Sequence, residues 1–204
     1  TASYGGEYRL NWTLKNTSSL DSGSPALSVS NKLLSVNQYA IPPRQHQPGT
    51  GSAPTASSPQ GLCLNDETTA TIAGTGCYRL LVSTAVHNAT KPEVVPPIDS
   101  NDTRMQQVMY ANGKLWGALD TALNPDGGGQ RAGIAWYIVN PVTSKVVVQG
   151  YLGATGYDLS YPAIGVTASG RGVVAFTDTG DATFPSAAYA PIDASAGVGA
   201  WNVV

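Results

Sequence analysis

Three oxygen-rich side chains lie close together in one short polar run, at Asp99, Asn101 and Asp102. Because Ca²⁺ takes six to eight oxygen ligands, this run is a candidate ligand or calcium loop. The simpler interpretation, which we favour, is an Asx-rich turn. In such a turn the side chains accept local backbone N–H groups, and Arg104 pairs with Asp102 or Asp120. The sequence indicates no other cofactor.

The chain has two cysteines, Cys63 and Cys77, separated by a polar stretch. A disulfide between them closes a loop of about 15 residues and stabilises the fold by roughly 3 kcal/mol in the chain-entropy model. The alternative is two unrelated free thiols. Zinc sites usually need four clustered Cys or His ligands, and the histidines His46 and His87 lie far apart in sequence. We therefore predict a disulfide rather than a metal site.

Four Asn-x-Ser/Thr sequons are candidate glycosylation sites, at Asn11, Asn16, Asn88 and Asn101. They would be acceptors in a glycosylating secretory pathway. In a bacterial protein they could instead occur by chance, because the chain is rich in Ser and Thr. Segment 48–59, rich in Pro, Thr and Ser, is a candidate for O-linked sugars. An intact mass equal to that of the bare sequence would exclude both modifications.

The composition favours many short strands and a secreted or extracellular protein. Of 204 residues, 42% are hydrophobic and 12% are charged, with 23 Gly and 14 Pro. Gly and Pro are unfavourable inside helices and common in turns. The net charge is −2 and the basic residues are scattered, whereas nucleic acid binding needs a concentrated positive face. An apolar run of roughly 20 residues, which a membrane-spanning helix requires, is absent from the sequence.

Three segments repeat a pattern of strand, tight polar turn and strand, at 25–39, 105–119 and 162–176. The predicted turns are Asn31-Lys32, Asn112-Gly113 and residues 168–171. Asn-Gly between apolar runs is the strongest short hairpin signal, because both residues tolerate the positive φ of a type I′ turn. We also predict strands near 7–14, 78–86, 131–139, 145–152, 186–191 and 198–204, with helix content near zero.

A hairpin unit that recurs at intervals of tens of residues predicts an all-β fold of antiparallel four-stranded β-propeller blades. We treat 1–204 as one partial propeller with blades at 7–86, 103–156 and 157–204, the last incomplete. The first blade carries a surface insertion at 41–77, since residues 41–61 have almost nothing to bury. A closed ring needs at least about four blades and usually six or seven, so we predict an incomplete ring or a fragment of a longer propeller.

The runs 99–120 and 161–178, followed by 184–189, resemble blades of secreted bacterial β-propeller proteins with a sialidase-like outline, as does 19–27. Members of this group are largely uncharacterised, so the resemblance implies fold and location better than activity. Sialidases also carry an arginine triad, a Tyr/Glu nucleophile pair and Asp boxes. Here the Asp box has only a loose echo at 124–130, and Glu7 beside Tyr8 is a weak candidate pair.

We expect a non-catalytic secreted or cell-surface binding or display module that acts through loops such as 41–61 and 120–131. One alternative is a structural subunit of an extracellular fibre assembled by strand donation. The other is a sialidase-like glycan hydrolase, although the sequence offers no catalytic set. The expected partners are other copies of the chain, or the rest of a longer chain, through open strand edges. Glycans are a further candidate partner; nucleic acid and a membrane span are not expected.

Overall fold

The computed structural model describes residues 5–51, 59–80 and 96–203. Thirteen strands run through these residues, and each ladder between them is antiparallel. The helical part of the same residues is one α-helix, Pro59–Leu64, and three short 3-10 helices. None of the described helices is long and apolar enough to cross a bilayer.

The middle sheet is a four-stranded meander of β5 (Gln107–Ala111), β6 (Lys114–Leu123), β7 (Arg131–Asn140) and β8 (Lys145–Leu152). The β5–β6 turn consists of Asn112 (φ 50°) and Gly113 (φ 67°). Both residues adopt the positive φ that a type I′ turn requires, so the predicted Asn-Gly hairpin is confirmed. Trp116 on β6 is fully buried, and its Nε1–H donates to the carbonyl of Ala111 at 2.9 Å.

The last sheet continues the same pattern with β9 (Tyr157–Val166), β10 (Arg171–Gly180) and β11 (Thr183–Asp193). Two short strands, β12 (Gly197–Val198) and β13 (Asn202–Val203), both pair with β11. Exposed and buried residues alternate along most of β9, which is the period that a half-buried strand requires. The β9–β10 hairpin closes at the predicted turn, where Thr167 N–H donates to the carbonyl of Arg171 at 2.8 Å.

The middle and last sheets pack face to face, with β9 lying over β6 and β7. Their shared core contains Trp116 and Ile134 from the middle sheet, and Leu159, Val174 and Ile192 from the last one. The middle sheet and the β9–β12 path of the last sheet each have four strands, and four-stranded antiparallel sheets stacked in this way are the arrangement of neighbouring propeller blades. The predicted fold class is confirmed: the chain is all-β, with antiparallel four-stranded sheets consistent with an incomplete propeller.

A two-stranded hairpin covers the opposite face of the middle sheet. Its strands are β1 (Gly6–Lys15) and β2 (Ser28–Tyr39), joined through a 3-10 helix at Thr17–Asp21. Leu34 and Val36 of β2 pack with Leu119, Ala135 and Tyr137 in a second apolar cluster. The middle sheet is therefore apolar on both faces.

The predicted turn at Asn31-Lys32 is wrong. Both residues lie inside one continuous strand, where Asn31 pairs with Trp12 and Lys32 with Asn11. Residues 6–15 offer an alternating partner strand over the whole length of β2, so the chain reverses earlier. It does so at Asn16, which adopts the left-handed conformation (φ 60°), and no Asn-Lys turn is needed.

The predicted disulfide between Cys63 and Cys77 is confirmed, with a Cα–Cα distance of 4.9 Å. The bridge joins the helix Pro59–Leu64 to a 3-10 helix, Cys77–Leu80. Between them lies a small hairpin of β3 (Ala70–Thr71) and β4 (Gly74–Thr75). The strand predicted near 78–86 therefore begins as a helical turn, and residues 81–86 lie outside the described residues.

Candidate ligand-binding groove

A groove of about 630 Å³ lies between β1 and the neighbouring strands β5 and β6 of the middle sheet. Its walls are mainly apolar. Grooves of this size with a few convergent polar groups are the usual form of a ligand site. The lining residues are residues 8–12 of β1, Leu34 and Val36 of β2, Met105, Val108, 115–117, Tyr137 and Val139.

Hydrogen bonds from β2 and the segment after it hold the hairpin against the middle sheet and so fix the groove. The N–H of Asn37 donates to Gln149 Oε1 at 2.8 Å, and the N–H of Ala40 donates to Thr121 Oγ1 at 3.0 Å. The hydroxyl of Tyr151 donates to the carbonyl of Gln38. These contacts join the hairpin to both β6 and β8.

Arg9 places its charge inside this groove. Its Nη2 donates to the carbonyl of Thr103 at 2.7 Å, and its guanidinium carbon lies 3.8 Å from the ring centroid of Tyr39. A cation over an aromatic face at this distance is attracted to it. Nε is buried and lacks a hydrogen-bond partner within the described part of the chain. Arg9 is therefore held in place by Thr103 and Tyr39.

Tyr137 provides a second buried polar group at the same place. Its side chain is only 3% exposed, and its hydroxyl lies against the Arg9 side chain. Burial raises the pKa of Tyr137 to about 12, and the charge of Arg9 and its hydrogen bond to the hydroxyl oppose that rise. The hydroxyl is thus protonated at neutral pH.

A second polar cluster lies where β7 and β9 begin. Asp158 is fully buried; its Oδ1 accepts the N–H of Ala132 at 2.9 Å, and its Oδ2 accepts the N–H of His46 at 2.8 Å. Arg131 lies 3.3 Å from Asp158 and 2.5 Å from Asp181. The hydrogen bond and charge of Arg131 lower the pKa of Asp181. Because the charges and hydrogen-bonding groups of these residues pair with one another, the cluster stabilises the fold and is not a candidate ligand site.

Gln45 lies beside this cluster, and its burial contradicts one prediction. Residues 41–61 were expected to form a surface loop, yet Gln45 is fully buried. Its Nε2 donates to the carbonyl of Asp99 at 3.2 Å, and its Oε1 accepts the hydroxyl of Thr179 at 3.0 Å. The first part of the segment therefore crosses the ends of the sheets, because the buried amide has partners there.

The candidate calcium loop forms local turns. Asp99 Oδ1 accepts the N–H of Asn101 at 2.6 Å, and Asp102 accepts both the N–H (2.8 Å) and the Nε–H of Arg104. The hydrogen bonds from Arg104 lower the pKa of Asp102. These local hydrogen bonds are the ones that an Asx-rich turn makes. In the described ranges, no group of three or more His, Cys, Asp or Glu is arranged to hold a metal ion.

The candidate glycosylation sites differ in exposure. Asn11 is only 8% exposed, and its Nδ2 donates to Ser144 Oγ at 3.2 Å. Asn16 is exposed and Asn101 is half-buried, while Asn88 lies outside the described residues. A glycan on Asn11 is incompatible with the packed hairpin, because its amide faces the middle sheet.

The arginines and the Glu7–Tyr8 pair do not form a common site in the described structure. Arg104 pairs with Asp102, while Arg171 lies 3.7 Å from Asp193. Arg9 and Arg131 belong to the groove and to the second cluster, respectively. Glu7 and Tyr8 are both exposed.

Sequence reasoning missed Arg9 and Tyr137, because the groove exists only once the hairpin docks on a distant sheet. A usable signal was present in the alternation of Tyr8, Leu10 and Trp12, which places Arg9 on the opposite face of β1. Comparison with known proteins adds no further guide. No protein-family model, curated protein or solved structure matches the chain.

Proposed function

We propose that this chain is a non-catalytic, secreted or cell-surface binding module of propeller type, and that it holds its ligand in the groove beside β1. The observation that supports this function is Arg9, which lines the groove, is fixed by Thr103 and Tyr39, and has no carboxylate of the described residues within salt-bridge distance. An anionic group in the groove can pair with this cation, and a charge-assisted hydrogen bond is stronger than a neutral one.

The chemistry of the groove indicates the class of ligand. Arg9 supplies a positive charge and N–H donors. Val108, Leu115 and Leu34 supply apolar walls. The complementary ligand has an apolar body and a carboxylate or similar anionic acceptor.

An extracellular location is part of the proposal. The Cys63–Cys77 disulfide supports it, since disulfides persist mainly in oxidising compartments. The low share of charged residues, 12%, suits a surface in which Ser, Thr and Asn do much of the solubilising. The resemblance to secreted bacterial propeller proteins agrees with this location.

Two fluorescent probes with nearly the same ring system test the groove. Anilinonaphthalene sulfonate is anionic, whereas phenylnaphthylamine is neutral. We expect the anionic probe to bind more tightly. Arg9→Met should weaken its binding by about tenfold, which is about 1.4 kcal/mol, and leave the neutral probe nearly unchanged.

Tyr137→Phe is the matched control variant, because it removes a buried hydroxyl beside Arg9 that a ligand in the groove does not reach. We expect it to bind both probes nearly as the parent protein does. If Arg9→Met also binds the anionic probe as the parent protein does, Arg9 is not part of the site and the proposal fails.

A further inference from the structure

The groove is bordered by the edge of β1 rather than by one of its faces. Successive side chains of a strand point to opposite faces, yet residues 8–12 all line the groove without a gap. Within the described part of the chain, β1 pairs only with β2. An edge strand of this kind presents alternate backbone N–H and C=O groups that another strand can use.

Next to this edge, the middle sheet has apolar surface that the hairpin does not cover. Val108 and Tyr110 of β5 are 53% and 67% exposed. Their cross-strand partners are Gly117 and Leu115, so these side chains form one strip on the face where the hairpin sits. Strands in a sheet lie about 4.8 Å apart, and a strand added to β1 would lie over this strip.

We propose that the groove accepts an extended segment of a different protein, which pairs with β1 as a third strand. This inference rests on the proposed function and specifies its ligand. The backbone of the segment bonds to the edge of β1, as in other cases of β-augmentation. Its alternate apolar side chains pack on Val108, Tyr110 and Leu115.

Charge complementarity specifies one further residue of the segment. Arg9 faces the middle sheet from β1, and no carboxylate of the described residues lies within salt-bridge distance of it. An acidic residue on the inward face of the added strand would meet the guanidinium of Arg9, which lines the groove. The expected ligand is therefore an alternating apolar strand with an inward Asp or Glu.

The test uses the full chain and the blocked peptide Val-Thr-Val-Thr-Glu-Thr-Val, whose valines and glutamate share one face. We expect it to bind and to compete with anilinonaphthalene sulfonate. Replacing its glutamate by glutamine should weaken binding about tenfold to the parent protein. The same replacement should have little effect on the Arg9→Met variant.

Backbone methylation of the peptide separates strand pairing from other modes of binding. N-methyl groups on one alternate set of residues remove the N–H groups that face β1, and those on the other set do not. We expect one methylated peptide to lose binding and the other to keep it. Equal binding of both peptides would overturn the proposal that the ligand pairs with β1 as a third strand. The proposed function of the groove would remain.

Hydrogen exchange of the β1 backbone amides tests whether the edge of β1 is free in the protein alone. We expect half of them to exchange rapidly in the protein alone and to become protected with the peptide. Protection in the protein alone would overturn the proposal, since the edge would already be covered. If that protection appears only with concentration-dependent association, a second copy is the occupant; otherwise it is a segment of the same chain, such as 81–86. If the peptide fails to bind while the anionic probe still binds, the proposed third strand is wrong, but the proposed function of the groove remains.

Discussion

Asp120 on β6 accepts the backbone N–H of Tyr161 on β9 at 2.8 Å, and this bond links the two facing sheets. The carboxylate is fully buried, and its Oδ2 lacks a hydrogen-bond partner in the described ranges. Desolvation raises the pKa of Asp120 to about 7, although the bonds from Tyr161 and Asn101 oppose the rise. Burial also raises the pKa of Asp178. The fold thus contains two carboxyl groups whose pKa burial raises above the ordinary value of an Asp.

Stability should fall as pH rises from about 4 to about 7. An unfolded Asp titrates near pH 3.9, so in this window the folded state binds more protons than the unfolded state, and the free energy of unfolding decreases with pH. Asp120→Asn should flatten this dependence and raise stability at pH 8 by about 1–3 kcal/mol. The free energy of unfolding, measured in urea at pH 5 and pH 8 for both proteins, tests this prediction. Asp21→Asn, at an exposed carboxylate, is the control; a wild-type protein more stable at pH 8 would contradict the prediction.

The two carboxylates bound to Arg131 should differ in their effect on stability. The Asp158 side chain is fully buried, whereas the Asp181 side chain is 59% exposed. Asp158→Asn leaves Arg131 without its buried counter-charge and should cost about 3 kcal/mol. Asp181→Asn should cost less than about 1 kcal/mol, and salt should reduce that cost. Chemical denaturation of both variants measures the two losses in the free energy of unfolding. Equal losses would show that burial does not determine the strength of these pairs.

Short-range signals were enough to predict most of the middle and last sheets. The Asn112-Gly113 turn and the alternation along β9 are local, and every strand of these two sheets except β13 pairs with a neighbour in sequence. The disulfide was predictable because the chain has only Cys63 and Cys77 to pair. In these parts the sequence pattern and the final packing agree.

The first hairpin and the groove could not be predicted in the same way. Asn31-Lys32 has the local character of a turn, but pairing with distant residues of β1 determines its structure. Gln45 follows a Pro-rich stretch that resembles a surface loop, yet it is buried by contacts with Asp99 and Thr179. Both errors arise where long-range contacts outweigh local propensity.

Reduction of the disulfide should loosen one loop and leave the sheets folded. The bridged helices Pro59–Leu64 and Cys77–Leu80 and the hairpin between them contact mainly one another. The entropic contribution of about 3 kcal/mol should therefore act on this loop alone. Hydrogen exchange should show lost protection at Gly76 N–H, which donates to the carbonyl of Thr69. If reduction instead lowers the unfolding midpoint of the whole protein, the loop supports the sheets directly.

Two glycines on neighbouring strands should respond oppositely to alanine. A Cβ on Gly172 of β10 would collide with the carbonyl oxygen of Gly165 on β9, and that backbone cannot move without breaking the ladder. Gly172→Ala should therefore cost about 1–3 kcal/mol. A Cβ on Gly165 would have no heavy atom within 4 Å, so Gly165→Ala should be neutral or stabilise by up to about 1 kcal/mol through the unfolded chain. Thermal unfolding of both variants measures the difference, and equal midpoints would mean that β9 and β10 do not approach as closely as their register implies.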